Sequence, residues 1–332
     1  MKRKAIIAGA AAFASIGIIK APAKAAQFEL KMGTDNPTGH PLNIRAKQMC
    51  DAITAESGGK INMGFFPNNM LGGDTAMLTQ LRSGALQMMT LDPGILQSVV
   101  PASAISSIGF TFKSDEQAFA ALDGALGDYV RKEIAARGLY CFKNIWENGT
   151  REITSSTHPI KTADDLEGFK IRTPEAKQWV QLFKALGAIP TAMNFNEVYT
   201  SLQTHVVDGQ ENPLAIIETG RLYEVQKYLS ITNHLWGGFW LLMNGDVWKS
   251  LPTDLQGVIE RNAAKYALLD RSDTLALNRS LQGKLVEQGM VVNVADTATF
   301  QRKLGAFYAS AKAEFGPTAW ALLEQTCGTK FG

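Results

Sequence analysis

Phe28-Glu29-Leu30-Lys31-Met32 alternates apolar and polar side chains, the period of a strand with one face buried. Working outward, Pro37-Thr38-Gly39-His40-Pro41 reads as a loop. Leu42, Ala46, Cys50 and Ile53 then recur at helical spacing until Ser57-Gly58-Gly59 stops the helix. Ile61, Met63 and Phe65 alternate as a second strand, and Pro67-Asn68-Asn69 turns. Gly72-Gly73-Asp74 opens a helix with Met77, Leu78 and Leu81 on one face, and the apolar run 86–91 closes at Asp92-Pro93-Gly94. The order β-α-β-α-β is that of a parallel or mixed α/β sheet.

The second half repeats this class of pattern. Gly168-Phe169-Lys170-Ile171-Arg172 is a short strand ending at Thr173-Pro174, and helices are expected over 175–186 and 196–204. A short strand follows at 206–209, and an apolar, aromatic strand at 235–243. Asn148-Gly149-Thr150 reads as a turn, and Gly209-Gln210-Glu211-Asn212-Pro213 as a polar loop. Pro252 precedes Thr253-Asp254-Leu255-Gln256, a capping-box pattern. The proline-free stretch from Asp254 to Gln288 then predicts a helix of about 50 Å, long enough to cross two domains or to kink near Gly283. No linker separates the halves, so the chain is expected to cross between two α/β lobes more than once.

The chain has 332 residues, 45% hydrophobic and 19% charged, which excludes a disordered protein and allows two domains with real cores. Its net charge of +2 gives no polyanion-binding footprint, so nucleic acid is not an expected partner. The charge is unevenly placed. Lys2, Arg3, Lys4, Lys20 and Lys24 lie in the first 25 residues with no acid, around an apolar run over 5–19 that is short for a bilayer span. Ala23-Lys24-Ala25 follows as a cleavage site, with Ala21-Pro22-Ala23 as the alternative. This is the pattern of an export signal, residues 1–25, cut after Ala25 for delivery to a bacterial periplasm. The mature chain then carries 28 basic and 31 acidic residues, a net of −3. Cys50, Cys141 and Cys327 have no metal-ligand spacing and allow at most one disulfide.

Nucleophile elbows, H-E-x-x-H, P-loop and C-x-x-C motifs are absent, and His40, His158, His205 and His234 are not at helical-neighbour spacing. No catalytic set, metal site or cofactor is expected. Ligand-holding groups do stand at element ends. Arg172, at the end of its strand, can aim a planar guanidinium into a crevice, where it matches a carboxylate with two parallel hydrogen bonds. Arg151 follows the reading of 148–150 as a turn, and Asn212 lies in the polar stretch 209–213. Each also has a bland alternative, a surface ion pair or a turn cap.

Around these residues the sequence resembles a known family. Gly149-Thr150-Arg151, Asp165-Leu166-Glu167-Gly168-Phe169-Lys170-Ile171-Arg172-Thr173-Pro174, Leu186-Gly187-Ala188-Ile189-Pro190-Thr191, Phe195-Asn196-Glu197-Val198-Tyr199 and Val207-Asp208-Gly209-Gln210-Glu211-Asn212-Pro213 resemble the DctP-like solute-binding subunits of TRAP transporters. The likeness runs from about Leu30 to Trp248. It implies a periplasmic binding protein-like fold: two α/β lobes, a ligand cleft between them, and a long helix spanning both. Lobe I is expected at 26–149 plus about 238–278, and lobe II at 150–237 plus about 279–332.

The resemblance implies Arg172 as principal carboxylate clamp, Arg151 as second basic contact, Asn212 as hydrogen-bond partner and Phe195 as apolar wall. Asp92 faces the rest of the ligand, with Asp35, Asp74, Glu175 and His234 as further candidates. Alternation puts Trp236 and Trp240 on one face of their strand and Phe239 on the other, and Trp236 is a ligand contact if its face is the cleft. The implied protein is a monomeric, non-catalytic receptor that hands a small-molecule carboxylate to integral membrane TRAP permease subunits. A periplasmic hydrolase on a two-lobe scaffold, or the binding protein of an ABC-type or sensor system, are the alternatives.

Overall fold

A computed structural model describes residues 26–331; the stretch 1–25, expected from the sequence to be an export signal, lies outside the described residues. Ten strands form the framework: β1 (Phe28–Gly33), β2 (Ile61–Phe66), β3 (Met88–Leu91), β4 (Leu139–Cys141), β5 (Trp146–Ser155), β6 (Lys170–Thr173), β7 (Ile189–Ala192), β8 (Gly209–Pro213), β9 (Tyr228–Asn244) and β10 (Val291–Val294). They order as β2-β1-β3-β9-β5-β8-β6-β7, with β4 and β10 also paired to β9. β1 is parallel to β2 and β3, and β6 is parallel to β7 and β8. The antiparallel pairs β3–β9, β5–β9 and β5–β8 join these two parallel groups. The fold is thus two α/β lobes on one mixed sheet.

β9 is the seam. Its first residues pair with β10 and the end of β5, and its last pair with β3 and β4. The crossing falls where Gly149 of β5 faces Gly237 of β9, beside a register shift between Glu147 and Gly149. Gly149 has φ +116°, and a Cβ there would stand 2.7 Å from the Asn278 side chain and 3.1 Å from Pro213 Cβ. Glycine lets two strands and the long helix approach at this point.

That helix, Thr253–Glu287, is continuous and binds both lobes. Arg45 of the helix Pro41–Glu56 pairs with Asp273, and Lys284 pairs with Glu218 of the helix Leu214–Thr219. In its middle, Arg271 donates to Ile145 O and to Asp123, while Asp270 accepts the Glu147 N–H at 2.8 Å. The helix is therefore anchored to the start of β5, two residues from the crossing.

Several sequence expectations change. Residues 148–150 are not a turn but the bulged interior of β5, since the extra residue is absorbed in the register shift. Gly209–Pro213 is not a loop but β8, buried between β5 and β6; its polar side chains bond one another instead of water. The capping box is not formed: Pro252 is the cap residue, and Gln256 donates to Trp248 O instead. The last helical stretch, Gly305–Cys327, is kinked at Gly316-Pro317 and does not keep to lobe II. Its Tyr308 donates to Gly109 O, its Glu314 meets Lys177, and Gln117 donates to Cys327 O, so it packs on both halves. All three cysteines are free and buried.

Gly149→Ala should lower stability by about 1–3 kcal/mol, from a strained φ and a crowded Cβ. Urea unfolding monitored by tryptophan fluorescence measures this, with Gly283→Ala, a helical position whose Cβ space is open and which should gain rather than lose stability, as the control.

Candidate functional site

In open α/β sheets the carboxyl ends of parallel strands form the ligand crevice, and here two such sets face each other. Asp35 follows β1 and Asp92 follows β3, whereas Arg172 and Asn212 are the next-to-last residues of β6 and β8. With Asp74, Arg151, Asn36, Asn148, Pro174, Phe195 and Phe239 they line a cavity of about 30 Å³. A larger groove of about 580 Å³ adjoins it through Phe195, between the loops at 37–39 and 68–69 and residues 195–224. Its Arg221 is already paired with Glu224.

The two arginines differ. Arg151, on β5, makes a two-pronged ion pair with Glu211 of β8 at 2.5 and 2.7 Å and lies over the Trp179 ring at 4.8 Å. His234 backs this pair: its Nε2 donates to Glu211 Oε2 at 3.1 Å, and its Nδ1 accepts from the Thr232 hydroxyl at 2.8 Å. Burial lowers the His234 pKa, so the ring is neutral and that tautomer satisfies both bonds. Burial pushes Glu211 up, but the Arg151 guanidinium outweighs it and holds the carboxyl at about 2.

Arg172 is only 2% exposed, yet its mapped hydrogen bonds are two donated to Met193 O, at 3.2 and 2.7 Å. No carboxylate among the described residues forms a salt bridge with it. Burial lowers its pKa to about 10, so it is cationic at neutral pH. Its guanidinium stands 6.0 Å from the Phe195 ring centre. A buried cation with unspent N–H groups is an anion site in chemical terms, and the planar fork suits a carboxylate.

The acids are held in the opposite condition. Burial raises Asp35 to about 6 and Asp92 to about 7, against the pull of the arginines. Asp74 is raised well above the usual range, first by burial and then by Asp35 beside it. Asp92 also caps the short helix Pro93–Leu96, accepting Gly94 N–H at 2.6 Å.

This geometry has relatives. Residues 32–314 match the DctP family model, described as bacterial extracellular solute-binding protein, family 7. The chain belongs to that family. It is 30% identical over 300 residues to the 2,3-diketo-L-gulonate-binding periplasmic protein YiaO of Escherichia coli, covering 90% of this chain and 89% of that one. A TRAP periplasmic solute-binding protein from Polaromonas, solved bound to D-erythronate, superimposes with a TM-score of 0.87 at 30% identity, covering 92% of this chain and 100% of the other. The sugar acid-binding protein of Advenella mimigardefordensis, solved with galactonate, gives 0.88 at 29%, covering 92% and 99%. The chain spans 49% of one longer relative, the y4mM protein of Sinorhizobium fredii, at 34% identity over 268 residues.

Seven of the residues singled out from the sequence of this DctP-family protein line the cavity: Arg172, Arg151, Asn212, Phe195, Asp92, Asp35 and Asp74. Three do not. Trp236 turns the other way, packing edge-on against Phe112 and Phe119 and donating to Asp115 Oδ1 at 3.1 Å. The strand alternation holds, but the cleft face is the one with Phe239. Glu175 is exposed and accepts from Asn194 at 2.8 Å. His234 sits behind Glu211, out of the cavity. Asn36, Asn148, Phe239 and Glu211 were missed; five consecutive buried residues of β8, three of them polar, are the pattern that betrays Glu211.

Glu211→Gln should destabilise the fold by about 3–5 kcal/mol, because it leaves the Arg151 charge buried without a counter-ion; denaturant titration reads this. A second outcome follows from linkage. Asp92 has a raised pKa in the fold, so its contribution is full at low pH and falls as pH rises toward 7. Asp92→Asn, which keeps a capping side chain, should raise the melting temperature of the unliganded protein at pH 8 and leave it nearly unchanged at pH 4.

Proposed function

We propose that this chain is the periplasmic receptor of a TRAP-type transporter, which captures a small organic acid anion and delivers it to membrane permease subunits. The observation that carries this reading is Arg172: a buried guanidinium at a strand end, held in place by a carbonyl and lacking a carboxylate partner. The ligand carboxylate completes it, with Asn212 as a neighbouring donor and Phe195 as an apolar wall. Arg151 contributes positive potential but spends its fork on Glu211, so it is the lesser contact. The acids named as ligands of the relatives, diketogulonate, erythronate and galactonate, support a hydroxylated carboxylate.

The receptor is a monomer, has no catalytic role, and is exported by residues 1–25 with cleavage after Ala25. A cavity of about 30 Å³ holds a few waters, so a sugar-sized acid enters when the walls separate. We place the hinge at the Gly149–Gly237 crossing, which divides 26–149 from 150–237, with the long helix flexing beside it.

Thermal-shift screening of the mature protein with hydroxy acids finds the ligand, since binding at 100 times Kd stabilises by about 2.7 kcal/mol. Arg172→Ala should then weaken it by about 3 kcal/mol or more, over a hundredfold in Kd. Arg172→Lys should also weaken it, since an ammonium cannot make the fork. Recovery of intact ligand after incubation separates receptor from hydrolase. Calorimetry showing near-native affinity for Arg172→Ala would overturn the assignment.

A further inference from the structure

The helix Asp74–Ser83 begins without a cap of its own. Its cap residue is Gly73, which offers no side chain to the first turn. Gly73 has φ −69° and ψ 173°, backbone angles open to any residue, so conformation does not demand glycine there. The demand comes from a neighbour. A Cβ on Gly73 would stand 2.7 Å from Asn194 Oδ1 and 3.1 Å from Asn194 Cβ. Glycine leaves the space that the Asn194 side chain fills.

Asn194 follows β7, on the lobe of β6–β8, whereas Gly73 precedes a helix of the β1–β3 lobe. Asn194 Oδ1 accepts the Thr75 N–H at 3.4 Å. That is the bond an asparagine at position 73 would itself make, since a cap side chain accepts from the second or third helical N–H. Asn194 Nδ2 donates to the Thr75 hydroxyl at 3.3 Å and to Glu175 Oε2 at 2.8 Å. An ionised carboxylate only accepts, so Glu175 fixes which end of the amide is nitrogen and turns its oxygen to the helix. The cap is thus supplied in trans. Its bonds to Thr75 are long, so each is easily given up. Asp74 and Phe195, next in sequence to Gly73 and Asn194, line the ligand cavity, whereas Asn194 lines neither the cavity nor the outer groove. The contact therefore sits at the rim, where separating walls pull it apart.

Resting on the reading that a ligand enters when the walls separate, we infer that Asn194 is a closure latch: it caps the helix Asp74–Ser83 from the opposite lobe when the cleft shuts and leaves it when the cleft opens. Opening then strips a helix start of its cap as well as breaking the ligand's own contacts. The latch slows ligand release without touching the ligand.

Disulfide crosslinking of the mature protein tests the contact. Two Cβ positions 3.1 Å apart need to part by only a few tenths of an ångström to take a disulfide. Under a copper–phenanthroline oxidant, Gly73→Cys/Asn194→Cys should crosslink about tenfold faster than Thr79→Cys/Asn194→Cys, a control one helical turn away. The natural cysteines are buried and do not compete. Saturating D-galactonate should speed the first crosslink about threefold by favouring the closed form, whereas a contact fixed in the fold would not respond. Asn194→Ala should release D-galactonate about fivefold faster in stopped-flow fluorescence. Gly73→Ser/Asn194→Ala, which caps the helix in cis, should recover the wild-type melting temperature and still release fast. Four results would each overturn the latch: crosslinking at the control rate, a crosslink rate that bound D-galactonate leaves unmoved, wild-type release from Asn194→Ala, or slow release restored by the cis cap. The crosslink needs no ligand, so it judges the latch even where D-galactonate does not bind. Arg172→Ala, made in the cysteine pair, separates this inference from the clamp. It should lose D-galactonate and keep the crosslink; if it keeps D-galactonate, the clamp falls and the latch is judged by the crosslink alone.

Discussion

A guanidinium taken out of water without a carboxylate beside it is the constraint around which this molecule is arranged. Desolvating a charge costs several kcal/mol, and the protein offers Arg172 only the Met193 carbonyl in direct return. The neighbouring arginine shows the usual solution, a full two-pronged pair with Glu211. The same cavity thus holds one arginine paired with a carboxylate and one that is not. The paired arginine fixes β5 to β8, and the unpaired one is left with bonding capacity.

The same cavity keeps three carboxyl groups above their ordinary pKa range. Buried groups in so unfavourable a state persist where function requires them. Their placement on one lobe, with the free arginine on the other, means that the cleft is electrically asymmetric and has an orientation. A ligand with an anionic end and a hydroxylated end has one way to lie in it. Two facing glycines, with the helix anchored beside them by Asp270 and Arg271, mark the seam where the two parallel groups of strands join, and the walls of opposite sign stand on either side of it.

Much of this was legible in the sequence. The alternation at Phe28–Met32 and the helical spacing after it give the first lobe correctly, because those elements bury one face and expose the other. The reading failed where burial is two-sided. β8 looks like a loop because its Gln210, Glu211 and Asn212 are polar, yet they are buried by bonding each other and Arg151. Residues 148–150 look like a turn because a glycine with positive φ sits there, yet it serves a bulge. The place of Arg172 at the cavity was legible because it stands next to the end of a clean strand. Trp236 was not, because alternation tells which residues share a face and not which face meets the cleft.

A crystal structure of the mature protein soaked with D-galactonate tests the central claim most directly. The account predicts the carboxylate in two-pronged contact with the Arg172 guanidinium and the hydroxylated end against Asp35, Asp74 and Asp92. A carboxylate bound elsewhere, in the outer groove beside Arg221 or turned toward the aspartates, would contradict it.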